Sequence, residues 1–147
     1  MPYYLPDCPV EREIRYIVVH CTGSRVTTDF TIEDLRHLHV DIFHWSDIGY
    51  NFYIRKDGSI YDCRPMSKIG AHTKGYNDCS IGVCYEGGLN ARGSPTDTRT
   101  QEQKKSLIDL LIALKERFPK AKIVGHYELG ANKKCPVFCA SKEYSTL

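Results

Sequence analysis

Two short apolar runs that each end in a histidine constrain this chain more than any other feature. Ile14-Arg15-Tyr16-Ile17-Val18-Val19-His20 is β-branched and apolar enough for a central strand, and Lys122-Ile123-Val124-Gly125 runs directly into His126. In open α/β sheets ligands collect beyond the carboxyl ends of strands, so the two histidines face one crevice if their strands run parallel. A core histidine is the competing reading for each. After His126 comes Tyr127-Glu128-Leu129-Gly130-Ala131-Asn132-Lys133-Lys134-Cys135-Pro136, a Gly-containing loop that brings a carboxylate, two ammonium groups and a thiol to the same strand end. His and Cys are both good zinc ligands.

Between these runs the chain alternates helix and strand signals. Thr31-Ile32-Glu33-Asp34 has the form of a capping box, and Ile32, Leu35, Leu38, Ile42 and Phe43 follow at helical spacing, which predicts one face laid on a sheet. His37, His39 and His44 have no Cys or Glu partner at ligand spacing and read as structural or surface residues. Asp57-Gly58 sits between Tyr50-Asn51-Phe52-Tyr53-Ile54 and Ile60-Tyr61-Asp62-Cys63, a strong hairpin signal, with Tyr50 expected to open its first strand. The stretch from Ile69 to Asn77 is polar, aromatic and Gly-rich, hence a loop, and Ser80 to Glu86 is another short strand. A long loop from Leu89 to Arg99 precedes a second capping box, Thr100 to Gln103, and an amphipathic helix through Leu107, Leu110, Leu111, Leu114 and Phe118, stopped by Pro119. The tail from Ala140 to Leu147 reads as a short helix or a frayed end.

With 147 residues the chain suits one domain, and its pattern indicates a single α/β domain with a mixed central sheet flanked by helices. A net charge of +2 gives no reason to expect nucleic acid, and no run is long enough to insert in a membrane. The first eight residues have neither a basic n-region nor an apolar h-region, so the chain is expected to be made in the cytoplasm, with its seven cysteines reduced. Cys8, Cys21, Cys63, Cys79 and Cys84 read as core or incidental thiols. Cys21 should point to the opposite face of the strand from His20 and not share a metal.

His20, His126 and Cys135 together would leave a fourth zinc position open, the pattern of a catalytic rather than a structural site. Beside them stand His20-Cys21-Thr22, Trp45-Ser46-Asp47-Ile48-Gly49-Tyr50-Asn51-Phe52, Lys56-Asp57-Gly58, Gly70-Ala71-His72, Tyr76-Asn77 before Ser80-Ile81-Gly82-Val83, and Lys133 before Cys135-Pro136. This ordered set resembles the zinc-dependent N-acetylmuramoyl-L-alanine amidases of the type 2 family, which include phage lysozyme-type amidases and peptidoglycan recognition proteins.

The resemblance spans about residues 14 to 139 within an amidase domain of residues 1 to 147. It implies a zinc site in a surface groove that holds peptidoglycan, with one zinc per chain bound by His20, His126 and Cys135. It also implies hydrolysis of the amide between N-acetylmuramic acid and the L-alanine of the stem peptide, and action on the cell wall after release or delivery. Tyr50 and Lys133 match the family's catalytic residues, with Lys134 the alternative lysine, since phage relatives place fewer residues between the second His and the Cys. His72, Tyr76 and Asn77 are expected to contact substrate. Where relatives carry an acidic residue after Cys-Pro, this chain has Cys139, which should alter a local cap. Glu128 is expected to cap the loop's backbone or to orient a ligand histidine. A peptidoglycan-binding protein that does not cut is the alternative function, and Cys135 favours the enzyme.

Overall fold

The computed structural model describes residues 2–147. In chain order its elements are β1 (Tyr16–Cys21), β2 (Ser24–Arg25), α1 (Ile32–Arg36), β3 (Phe52–Ile54), β4 (Ile60–Asp62), β5 (Ser80–Tyr85), β6 (Gly88–Leu89), α2 (Gln101–Arg117), β7 (Lys122–Gly125) and α3 (Ala140–Glu143). Five of the strands form one sheet in the order β4-β3-β5-β1-β7, while β2 and β6 pair separately. Within the sheet β1 runs parallel to both β5 and β7, β3 runs parallel to β5, and only the hairpin partner β4 is antiparallel. The result is the expected mixed α/β sheet in one domain.

The β-branched run of β1 occupies a central strand because both of its faces are covered. Ile17 and Val19 join Ile81 and Val83 of β5 in a core that receives Leu107, Leu110, Leu111 and Leu114 of α2. Each of these leucines is fully buried, worth about 1.5–3 kcal/mol in transfer from water. Helix α2 is anchored by its capping box: Thr100 Oγ1 accepts the Gln103 N–H at 3.0 Å, and Gln103 Oε1 accepts the Thr100 N–H at 2.9 Å. The Gln103 amide also donates to the carbonyls of Ile54 and Glu86, tying the start of the helix to the ends of β3 and β5.

The other face is covered differently. Leu35 of α1 packs with Ile48, Tyr53 and Cys84 in a smaller cluster. After Arg36 the helix widens to a π-helix over His37–Ile42, closed by the Phe43 N–H on the Leu38 carbonyl. This departs from the helical face read in the sequence: Ile42 and Phe43 end 54% and 47% exposed, while His39 is buried. Widening the turn shifts the angular position of every later residue, so a face read at 3.6 residues per turn rotates away from the sheet. The hairpin also begins later than expected. Strand β3 starts at Phe52, and Tyr50 lies two residues before it. Loops behind the sheet ends are gathered on Glu86, whose buried carboxylate accepts Arg55 Nε at 3.0 Å and the backbone N–H groups of Phe30 and Lys56.

Candidate active site

Parallel pairing of β1 and β7 decides the site. Val19 is in register with Gly125, so the next residue of each strand projects from the same end of the sheet, and the rings of His20 and His126 lie 4.5 Å apart between centroids. His126 starts a 3-10 turn, His126–Leu129, whose Glu128 reaches back to accept the Gly125 N–H at 2.5 Å and also bonds the Ser141 hydroxyl. Glu128 therefore caps the loop and fastens it to α3. Gly125 is obligatory for a local reason: a Cβ there would come within 2.7 Å of Pro136 Cδ.

The loop then returns Cys135 to the strand ends. Its carbonyl accepts the Tyr127 N–H at 2.9 Å, and the next carbonyl, of Pro136, accepts the Tyr85 hydroxyl at 2.6 Å. Arg99 closes the loop from behind, with its guanidinium 3.4 Å over the Phe138 ring and bonded to Asp97 and Glu143. As a result one ligand atom each from His20, His126 and Cys135 lies within 4.8 Å of the others. Two imidazoles and a thiol at that spacing fit zinc in donor type and in number for an open site. Their electrostatics fit as well. Burial, followed by His72, His126 and the Lys133 charge, holds His20 well below its ordinary pKa, and burial with Lys133 lowers His126, so both are neutral imidazoles able to coordinate. Cys135 is raised far above its usual value by the neighbouring Cys21 thiol and by burial, so a thiolate there calls for a cation.

The site opens into a groove of about 410 Å³. One wall is the π-helical segment with Leu38, Phe43 and Trp45, and the other carries Leu89 and Pro95. Tyr50 and both lysines border the groove, but Lys133 rather than Lys134 acts electrostatically on His20 and His126. The Tyr50 hydroxyl is pushed well above its ordinary pKa by burial and by the thiols of Cys84 and Cys135, so it stays protonated.

His72 lines the groove, yet both of its ring nitrogens face inward, Nδ1 2.9 Å from His20 Nε2 and Nε2 3.4 Å from Ser80 Oγ. Tyr76 and Asn77 are not brought to the groove lining. The Tyr76 ring sits edge-on to Tyr16 at 5.5 Å, and Asn77 Oδ1 accepts the N–H groups of His72 and Thr73 at 2.9 and 2.8 Å. A polar loop composition does not reveal that its Asn is consumed by the loop's own backbone. Two contacts had no sequence signal at all. The Cys21 N–H donates to Cys135 Sγ at 3.1 Å, although Cys21 is not in the ligand group, and buried His39 accepts the Gly49 N–H at 2.8 Å just before Tyr50. The first joins residues 114 positions apart, and the second closes a span of 10.

Comparison with known proteins agrees with this geometry. Residues 10–138 match the family described as N-acetylmuramoyl-L-alanine amidase. The chain is 38% identical over 127 residues to the endolysin of Klebsiella phage KP32, covering 86% of this chain and 83% of that protein. Among solved structures it is similar to the N-acetylmuramoyl-L-alanine amidase LysC from Clostridium intestinale URNW, with a TM-score of 0.74 and 30% identity across 96% of this chain and 89% of that chain. Drosophila PGRP-LB in complex with tracheal cytotoxin shares the fold at 24% identity, with a TM-score of 0.75 over 93% of this chain and 83% of that chain. The chain belongs to the N-acetylmuramoyl-L-alanine amidase family.

Proposed function

We propose that this amidase hydrolyses the bond between N-acetylmuramic acid and L-alanine with His20, His126 and Cys135 holding one zinc ion, and with Tyr50 and Lys133 acting on the substrate carbonyl. The observation that carries the reading is the convergence of the three ligand atoms within 4.8 Å at one end of the sheet, at the floor of the groove. Zinc held there supplies a Lewis acid and a means of activating water near neutral pH.

The protein's own groups do the rest. Two imidazoles kept neutral by burial are ready to coordinate without first losing a proton. The protonated Tyr50 hydroxyl is a hydrogen-bond donor and a poor base, which suits it to the carbonyl oxygen as negative charge develops. The Lys133 ammonium, whose field already reaches both histidines, opposes the same charge, and this favours Lys133 over Lys134. Apolar walls at Leu38, Trp45 and Leu89 strengthen these interactions by keeping bulk water from part of the groove. His72 acts from beneath the groove through His20, whereas Tyr76 and Asn77 support the loop that carries His72 rather than meeting substrate directly. The amidase unit spans residues 1 to 147, with peptidoglycan as its polymeric substrate. Among the described residues no helix is long and apolar enough to cross a membrane, and the enzyme acts on the wall after release or delivery.

Digestion of purified peptidoglycan followed by mass spectrometry tests the reading. Stem peptides released with a free L-alanine amine are expected, whereas cut glycan strands would overturn it. Wall binding with no released peptide would instead indicate a recognition protein.

A further inference from the structure

We infer that Thr73 is a positioning residue for His20, one that fixes the imidazole so that its Nδ1 is left for the metal. The inference rests on the reading of His20 as a ligand. Thr73 is 2% exposed, and its Oγ1 lies 3.2 Å from His20 Nε2 and 2.8 Å from His72 Nδ1. The two imidazoles are themselves 2.9 Å apart at those same nitrogens, which closes a three-membered polar cluster directly behind the ligand set.

Nothing in this cluster is free to drift. The His72 ring is clamped between two glycines, since a Cβ at either Gly70 or Gly82 would come within 2.7 Å of a ring carbon. The backbone beneath His72 and Thr73 is pinned by the single Asn77 oxygen that accepts both of their N–H groups. His20 Nε2 is thus turned away from the groove onto fixed partners. With Nδ1 given to a metal, Nε2 must carry the imidazole proton. Thr73 Oγ1 accepts that proton, the threonine donates its own proton to the single lone pair of His72 Nδ1, and His72 Nε2–H faces Ser80 Oγ at 3.4 Å. Every donor then meets an acceptor with no net charge, and among the described residues no buried side-chain polar atom lacks a partner. An acceptor behind a coordinating histidine holds the ring's orientation and raises its basicity, and removing it typically weakens metal binding about 10–100-fold.

The test is zinc affinity by chelator competition for the wild type, Thr73→Val and Thr73→Ser. Valine keeps the shape and deletes the hydroxyl, and serine restores it. The expected result is at least a roughly 10-fold loss of affinity for Thr73→Val, with Thr73→Ser returning to the wild-type value. Thr73→Ala reads the same loss should the valine variant not fold. Equal zinc affinity in Thr73→Val and the wild type overturns the inference, and so does a serine variant as weak as the valine one, because packing rather than the hydroxyl would then be responsible. A wild-type protein that takes up no zinc overturns both this inference and the reading of the metal site.

Discussion

The two faces of the central sheet are built on opposite plans from the same strands. Toward α2, Ile17, Val19, Ile81 and Val83 meet four leucines in a continuous apolar layer held by buried area. Toward the groove, the alternate positions His20 and Gly82 meet Tyr50, His72 and Thr73 through directed contacts at fixed distances, beside the smaller apolar cluster of Leu35, Ile48, Tyr53 and Cys84. The first face tolerates changes that conserve volume. The second does not, because each partner there is specified by an atom and a direction. Stability is thus concentrated on one face and chemistry on the other.

Substitutions can break that division or sharpen it. Cys135→Ser should give the largest effect, abolishing release of stem peptides while the melting temperature of the metal-free protein stays close to wild type; surviving hydrolysis would remove Cys135 from the ligand set. Lys133→Ala is expected to lower turnover by about 10² to 10³ with zinc content intact, and Lys134→Ala to change little, as read by single-substrate kinetics beside metal analysis. If the two alanine variants exchange these phenotypes, the lysine assignment is inverted. On the opposite face, Leu110→Ala should cost about 2–5 kcal/mol in urea unfolding and leave the specific activity of the folded fraction unchanged. A loss of activity without a loss of stability at Leu110 would dissolve the contrast between the faces. The smallest effect belongs to Glu143, whose carboxyl is held below its ordinary pKa chiefly by its bond to Arg99. Its contribution to stability is present above the unfolded carboxylate pKa and fades as the pH falls through the lower folded value. Glu143→Gln should therefore lower the melting temperature slightly at neutral pH, and the difference from wild type should shrink in acid.

What could be read from the sequence was local. β-branched runs make strands and Thr-x-x-Gln starts a helix, so β1, β7 and α2 follow directly from neighbouring residues. The convergence of His20 and His126 was conditional on parallel strands, and the β1–β7 register meets that condition. The π-helical widening at His37–Ile42 was not legible, because one extra residue per turn leaves no mark on composition and only rotates the pattern. Nor were the partners of Asn77, Thr73 and the Cys21 N–H, since each depends on which segments meet in space. The side chains that the sequence groups together, His20, His126 and Cys135, do converge within 4.8 Å of one another, whereas the atoms that steady them from behind have no signal in the order of residues.

The register that pairs Val19 with Gly125 also sets a timetable. The two histidines are 106 positions apart, 126 minus 20, and β7 lies at the edge of the sheet, next to β1 alone. Contacts that close so long a loop form late, since the chain entropy is lost before the contact returns anything. During synthesis, β1 emerges and can pair with β5 long before residue 135 leaves the ribosome. A chain interrupted short of that point lacks Cys135, and on the proposed ligand set it holds no complete metal site, so the capacity to cut a cell wall arrives only once residue 135 has been made.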